Sequence, residues 1–242
     1  MDSKRAKEII KEVKEQYNTI AVDWDVSRAF PSGIKIKQIK RLKKGVKVLD
    51  LGCGNGLIVN EILQRGGKYY GIDISSGLIK IAKKKYALEI KKKLAEFKVG
   101  DAVKKLPYQN NFFDHVFSFA VLHHIPSIEN RLRFLEEIKR VLKSGGRADI
   151  IVWNLFNDWS YKRFKISAQM KNPLPHLDKN DFLVEWRATL GKDVKRYIHS
   201  FTDKELKELA RTVGFEKITV GYYNRAGEKV KNGEELVLNL VK

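Results

Sequence analysis

Three glycines at alternate positions and three aspartates at the ends of apolar runs are the residues of this 242-residue chain best suited to hold a ligand. Residues 48–56 read Val-Leu-Asp-Leu-Gly-Cys-Gly-Asn-Gly, an apolar strand running into a loop with Gly52, Gly54 and Gly56. Glycine there lets the backbone turn at positive φ and lets a ligand meet main-chain atoms without meeting a Cβ. Asp73 ends the next apolar run, 17 residues after Gly56, where a nucleotide fold places an acid on both ribose hydroxyls. Asp101, in Gly100-Asp101-Ala102, follows a further run and can accept from an adenine amino group. Asp50 can orient the loop or meet a ligand's amino group. The bland alternatives are a βα turn with no ligand and, for Asp73, a cap ahead of Ser75 and Ser76. The pattern departs from the dinucleotide fingerprint Gly-x-Gly-x-x-Gly: the third glycine arrives one residue early, and position 57 is leucine.

Other reactive residues are few. His123-His124 lack further cysteine or histidine at ligand spacing, so no metal site is expected. The single cysteine, Cys53, sits in the glycine loop, where it reads as a small packing residue. It excludes an internal disulfide and argues for a reducing, cytoplasmic setting.

Loops of this kind are presented by strands alternating with helices. Strands are expected at 46–51, 69–73, 95–99, 114–120 and 148–153, and helices at 57–64, 76–92 and 131–142, the last followed by Gly145-Gly146. That alternation implies a parallel sheet with helices on both faces. Residues 217–223 and 235–241 are alternating runs joined through Gly227 and Asn232-Gly233, which reads as an antiparallel hairpin at the sheet edge. Upstream, Ile9, Ile10, Val13 and Tyr17 recur at helical spacing over 4–17. A second helical element over 33–43 sets Ile34, Ile36, Ile39 and Leu42 among lysines and closes at Gly45, with Pro31 breaking the chain between the two. No repeat or long linker is visible, so one domain is expected over 1–242. It divides into N-terminal helices (1–45), a ligand-binding half (46–153), a cap insertion (154–200), and a C-terminal helix and hairpin (201–242). The insertion has little clean periodicity, and its position beyond the strands' carboxyl ends places it over the site. An ordinary surface excursion is the alternative.

Lys+Arg number 48 against 29 Asp+Glu, a formal charge of +19. Lysine-rich surfaces also mark heat-adapted proteins through ion-pair networks, but pairing cannot consume this excess. A polyanionic partner follows, nucleic acid ahead of anionic membrane. No run approaches the roughly 18 apolar residues of a membrane span. The charged, helix-patterned start is not that of a secretory signal.

The set resembles the class I S-adenosylmethionine-dependent methyltransferases. Residues 48–56, Asp73, Gly100-Asp101-Ala102, Phe112-Phe113-Asp114, the turn Val141-Leu142-Lys143-Ser144-Gly145-Gly146 and the terminal hairpin carry that resemblance over nearly the whole chain. It implies an α/β, Rossmann-like, mostly parallel seven-stranded sheet with helices on both faces and a C-terminal antiparallel hairpin. It implies S-adenosyl-L-methionine as cofactor, held by Asp50, Gly52, Cys53, Gly54, Asn55, Gly56, Asp73, Ile74, Asp101, Ala102 and Ala120. Covalent attack on a base carbon is excluded, because it needs a cysteine near the fourth or sixth strand. Ala120-Val121-Leu122-His123-His124 stands where enzymes acting on planar exocyclic amines commonly carry Asn/Asp-Pro-Pro-Tyr/Phe, so an oxygen or small-molecule acceptor is favoured.

A narrower resemblance lies in the flanks. Tyr17-Asn18-Thr19-Ile20-Ala21, Trp24, Ser27-Arg28, Pro31, the His123-His124 segment, residues 181–186 and residues 195–201 are similar to the tRNA wobble-uridine 5-carboxymethyl methyltransferases. Those enzymes esterify a 5-carboxymethyl group on the first anticodon base. The resemblance implies Arg28, His124 and Tyr17 in catalytic roles, with Arg28 holding the carboxylate and Tyr17 closing over the cofactor. Trp24, Arg28, His124, Arg196, Tyr197 and His199 would bind the acceptor. Plainer roles stand beside these: Arg28 pairing with Asp23 or Asp25, His123 as a packed neighbour, Arg196 and Tyr197 tying the cap to the sheet. The implied partners are the tRNA anticodon stem-loop and a small zinc-binding activator protein that extends the edge strand Ala95–Val99 through Phe97 and Val99. Of the basic stretches at 35–47, 80–93, 162–165 and 192–196, 80–93 reads as a solvated helix face, and those near the N-terminal helices and cap are placed to meet RNA. Two other functions stay open: methylation of a small-molecule oxygen acceptor, and RNA binding by an inactive methyltransferase fold.

Overall fold

In the central strands, neighbouring residues are apolar on both parities, the pattern of a sheet covered on two faces. Val48 belongs to the same buried cluster as Ile34, Ile62 and Ile79, while Leu49 belongs to the cluster of Phe134, Ile138 and Leu206. The computed structural model describes residues 1–187 and 193–242. It opens with α1 (Ser3–Thr19), α2 (Ala21–Ser27) and α3 (Gly33–Ile39). The alternating half comprises β1 (Lys47–Leu51), α4 (Val59–Leu63), β2 (Lys68–Asp73), α5 (Ser76–Lys85), α6 (Ala87–Lys91) and β3 (Ala95–Val99). It continues through β4 (Phe113–Phe119), α7 (Ile128–Val141) and β5 (Leu142–Trp153). The remainder is α8 (Asp158–Arg163), α9 (Ile166–Lys171), β6 (Asp181–Trp186), β7 (Val194–His199), α10 (Asp203–Val213), β8 (Lys217–Tyr223) and β9 (Glu235–Val241).

Seven strands form one sheet in the order β3-β2-β1-β4-β5-β9-β8, and β6 and β7 form a separate antiparallel pair. β1 to β5 run parallel, whereas β9 is antiparallel to both β5 and β8. Because β1 lies between β2 and β4, the connections leaving β1 and β4 diverge and open a crevice at their carboxyl ends. Among the described residues no helix is long and apolar enough to cross a membrane.

The expected mostly parallel sheet with its C-terminal antiparallel hairpin is present, and the hairpin strands have the expected limits. Several local expectations are corrected. α3 stops at Ile39 rather than Lys43, and Gly45, at φ +73°, closes a turn beyond it. The helix expected over 76–92 breaks at Tyr86 into α5 and α6. Lys143-Ser144-Gly145-Gly146 is no separate turn: it bulges β5, with the register against β4 shifting between Phe113 and His115. α2 was not anticipated, and the cap is more ordered than its periodicity implied. β6 and β7 bury Asp181, Arg196 and His199, so polar residues occupy core positions and hide the strand alternation. The basic stretch at 192–196 begins with Lys192, which lies outside the described residues.

Candidate active site

The crevice begins at the glycine loop after β1. Gly52 has φ +84°, and a methyl group there would lie 2.0 Å from Val121 Cγ2, so the loop can sit against the segment after β4 only with glycine at this position. The Gly52 and Cys53 amides donate to the Ile72 carbonyl at 2.7 and 2.9 Å. Gly54, at φ +55°, turns its amide to Asp73 Oδ2 at 2.8 Å, and Ser75 N–H donates to Asp73 Oδ1 at 2.8 Å. Asp73 is therefore no helix cap. Ser75 caps α5, its Oγ accepting from Leu78 N–H. Burial pushes the Asp73 carboxyl above its ordinary range, partly offset by the amides of Ser75, Gly54 and Ile74.

Asp101 accepts from Val103 N–H at 3.1 Å, which shapes the loop after β3. Asp50 Oδ2 accepts from the buried Tyr69 hydroxyl at 2.7 Å. Desolvation pushes Asp50 up to about 7, against the lowering effects of that bond and of the Lys35 charge. Asp50, Gly52, Cys53, Gly54, Asn55, Asp73, Ile74, Asp101, Ala102 and Ala120 line one continuous cavity with Tyr17, Trp24 and His124. Gly56 stands behind it, against Tyr86 and Phe97.

The first two helices close over this loop. Asn18 Oδ1 accepts from Ser75 Oγ at 2.8 Å and from Gly77 N–H at 3.0 Å, which ties α1 to the start of α5. Asn55 Nδ2 donates to Asp25 Oδ1 at 2.8 Å, which ties α2 to the glycine loop. Asn18 was expected only as part of the Tyr17–Ala21 segment, and Asp25 only as a pairing partner of Arg28; neither was expected to tie a helix to the cofactor loop. Their signal was only adjacency to Tyr17 and Trp24.

At the mouth, His124 bridges α1 and the cap. Its Nδ1 faces the Tyr197 carbonyl at 2.7 Å and its Nε2 faces the Tyr17 hydroxyl at 2.8 Å. A carbonyl only accepts, so Nδ1 carries the proton, and Nε2 must accept from Tyr17. Burial, and then the Arg196 charge, pull His124 down to about 3, so the ring is neutral. Arg196 Nη1 donates to Tyr17 Oη at 3.3 Å. Its guanidinium lies 5.0 Å from the Trp153 ring centroid and 4.9 Å from that of Trp186. Arg28 stacks on the far indoles, 4.9 Å from Trp24 and 5.2 Å from Trp186. Burial, with the neighbouring Arg196 charge, lowers the Arg28 guanidinium from its ordinary value. Neither arginine makes an ion pair with a described carboxylate, and Asp25 is occupied by Asn55. Arg196 is 2% exposed, and its Nε, the Trp186 Nε1 and the His123 Nε2 are buried without a hydrogen-bond partner. Tryptophan faces and spare N–H donors around two unneutralised cations are a receptor for an anion.

Tyr197 and His199 have a different setting from the one expected. The Tyr197 hydroxyl donates to Asp181 Oδ1 at 2.7 Å and accepts from Arg131 Nη2 at 2.9 Å. His199 bridges Asp181 at 2.6 Å and Glu205 at 2.8 Å. These side chains fasten β6 and β7 to α7 and α10, and only the Tyr197 carbonyl reaches the mouth. His123 accepts from Trp153 N–H at 3.1 Å and is held neutral by burial, a packed neighbour of the site.

The comparisons with known proteins agree with this geometry. A family model described as a methyltransferase domain matches residues 49–150. The chain is 33% identical over 232 residues to a demethylmenaquinone methyltransferase of Lactococcus lactis, covering 89% of this chain and 85% of that protein. It is 27% identical over 221 residues to the tRNA (carboxymethyluridine(34)-5-O)-methyltransferase of Schizosaccharomyces pombe, covering 87% and 91% of the two. Among solved structures, a SAM-dependent methyltransferase of Methanosarcina mazei superposes with TM-score 0.63 at 26% identity, over 84% of this chain and 95% of that one. The same fold, at 18% identity and TM-score 0.66, occurs in the complex of the Haloferax volcanii Trm112 methyltransferase activator with a putative methyltransferase, over 95% and 96% of the chains. S-adenosylmethionine is the cofactor. The cavity wall bare of side chains at Gly52 and Gly54, with Asp73 and Asp101 beside it, fits the adenosine part of that molecule. A glycine loop, a diverging β1 and β4 and relatives of this similarity have one common explanation: the chain belongs to the class I S-adenosylmethionine-dependent methyltransferases.

Proposed function

We propose that this methyltransferase esterifies a 5-carboxymethyl group on the wobble uridine of tRNA. The observation that carries the reading is Arg196, a buried cation between Trp153 and Trp186 with Arg28 on the other side of Trp186 and, among the described residues, no ion pair from either to a carboxylate. A carboxylate acceptor supplies that missing charge. It is ionised at neutral pH, so no general base is required, and the neutral His124 is suited to orientation rather than proton abstraction. When bound, S-adenosylmethionine supplies an electrophilic methyl on its sulfonium. The chain's own task is then alignment: Arg196 and Arg28 hold the anion, and Tyr17, its proton committed to His124, keeps an oxygen lone pair at the mouth. The formal charge of +19 and the relative from Schizosaccharomyces pombe support tRNA as the carrier of that carboxylate. Cytoplasmic location belongs to the same proposal.

The activator partner is part of the proposal too. β3 is the sheet's outer strand on one side, and Val99 there is 52% exposed, so a partner strand can extend it. The fold shared with the methyltransferase of the Haloferax volcanii complex supports an activator as partner. A purified chain that is soluble, monomeric and fully active on tRNA by itself would remove the partner.

A second reading, a small aromatic acceptor such as a quinone precursor, is favoured by the Lactococcus lactis relative. The deciding experiment incubates the enzyme and labelled S-adenosylmethionine with bulk tRNA or with an RNA-free small-molecule extract. Label is expected in a uridine derivative that loses it to mild alkali, as an ester does. Label confined to the small-molecule extract would replace the tRNA reading by the second. Arg28→Ala tests the anion site from its outer side. We expect acceptor KM to rise roughly 10- to 100-fold, the size of one charge-assisted hydrogen bond, with cofactor affinity unchanged by calorimetry. An unchanged acceptor KM and kcat/KM would take Arg28 out of the site.

A further inference from the structure

The pairing of arginine with tryptophan recurs once more, on the rim outside the cavity. On α8, Trp159 is 53% exposed, and Lys162 and Arg163, three and four residues on, share its side of the helix and are exposed with it. Arg225, from the loop between β8 and β9, sets its guanidinium 5.5 Å from the Trp159 ring centroid. Phe164 meets the same indole at an interplanar angle of 86°. The loop that carries Arg225 is braced through its backbone. Gly227 N–H donates to the Asn224 carbonyl at 3.0 Å, Glu228 N–H donates to Asn224 Oδ1 at 2.9 Å, and the Gly227 carbonyl accepts from Lys37 Nζ at 2.8 Å. Gly33 packs so closely here that a Cβ would lie 2.5 Å from the Ala226 carbonyl oxygen. The Arg225 side chain is by contrast exposed, with no hydrogen bond or ion pair to a described residue. Desolvation raises the buried Glu235 carboxyl, and the charges of Lys35 and Arg225 pull the other way, from beyond ion-pair range. Toward the mouth, Arg225 adds, after burial and Arg196, to the lowering of the Arg28 guanidinium. A fixed turn thus holds a free cation against an open aromatic ring, near the arginine assigned to the acceptor.

We propose that Trp159 and Arg225 form a platform for a nucleotide flanking the acceptor uridine, the indole stacking on its base and the guanidinium binding its phosphate. The inference rests on the tRNA reading for its ligand. An unpaired nucleotide presents one π-face and one backbone charge, and this pair of side chains complements both. The charge of +19 draws a polyanion to the rim, and Lys162 and Arg163 extend its cationic side. An anionic bilayer supplies charge but no ring to stack on. Stacking favours no particular base, so the platform fixes the position of the strand rather than its sequence.

Fluorescence anisotropy tests this without any methyl transfer, using an unmodified anticodon stem-loop and a duplex RNA of equal length. Trp159→Ala should weaken stem-loop binding roughly tenfold or more, the loss of one base stack, and leave duplex binding unchanged, because a duplex offers no free base face. Trp159→Phe should restore most of the affinity. Arg225→Gln should weaken the stem-loop and lower the slope of log affinity against log salt by about one. Should Trp159→Ala fail to fold, Arg225→Gln, an exposed change, carries the test alone. Stem-loop binding unchanged in Trp159→Ala or in Arg225→Gln, a loss in Trp159→Ala equal for both RNAs, or Trp159-dependent binding of phosphatidylglycerol vesicles with stem-loop affinity unaltered would overturn the proposal. A chain that esterifies tRNA with no such dependence on Trp159 loses the platform alone. One that binds the stem-loop through Trp159 and forms no ester loses the esterification reading alone.

Discussion

Arg196→Met is expected to abolish ester formation while leaving the protein at least as stable as before. A buried cation without an ion pair costs several kcal/mol in desolvation, and stacking on two indoles returns only about 1–4 kcal/mol. Methionine is flexible and polarisable enough to fill the slot between Trp153 and Trp186 and still touch both rings favourably. The bond from Nη1 to Tyr17 Oη is lost, but Tyr17 keeps His124. Activity should behave oppositely. A desolvated cation that faces the acceptor carboxylate is worth about 2–5 kcal/mol once its partner is present, so turnover should fall by roughly a hundredfold or more. Thermal unfolding, cofactor calorimetry and single-turnover assays together check this. A variant that unfolds at markedly lower temperature would make Arg196 a tie between the cap and the sheet instead.

Asp73→Ala should affect the other half of the site just as strongly, with loss of cofactor binding and activity together. Asp73 spends one oxygen on Gly54 N–H and the other on Ser75 N–H, and it faces the cavity at the same time. Its removal strands two buried donors, at about 1–3 kcal/mol each, and takes away the acceptor for ribose hydroxyls. Cofactor affinity should fall roughly a thousandfold or more. Asparagine is no conservative replacement: one of its two terminal atoms is a donor, and both positions already face an N–H. Calorimetry with S-adenosylhomocysteine gives the answer, with circular dichroism to verify the fold. Affinity retained within a few-fold would show that the rest of the cavity holds the cofactor without Asp73.

The cofactor half was legible in the chain because its determinants are local. Gly52 and Gly54 are needed by the backbone of one turn, Asp73 ends the neighbouring strand, and parallel strands covered on both faces read as plain apolar runs. The hairpin of β8 and β9 was legible for the same reason. The acceptor end was not. Arg196 could be singled out by type, but its sandwich draws Trp153 from β5 and Trp186 from β6, and Arg28 comes from beyond α2. No spacing along the chain encodes that meeting. Tyr197 and His199 stand beside Arg196 in the sequence, yet the alternation of β7 and the acids at 181 and 205 turn their side chains into a structural network.

The direction of the proton between Tyr17 and His124 is set by a main-chain oxygen, the carbonyl of residue 197. Every amino acid carries that oxygen. Changes of side chain at position 197 therefore leave the tautomer untouched, and only a shift in the path of β7 can alter it. The cap is in this way free to diversify what it recognises while the hydroxyl beside the reacting groups stays in one orientation. Chemistry is inherited through the shape of the backbone, and selectivity through the side chains it carries.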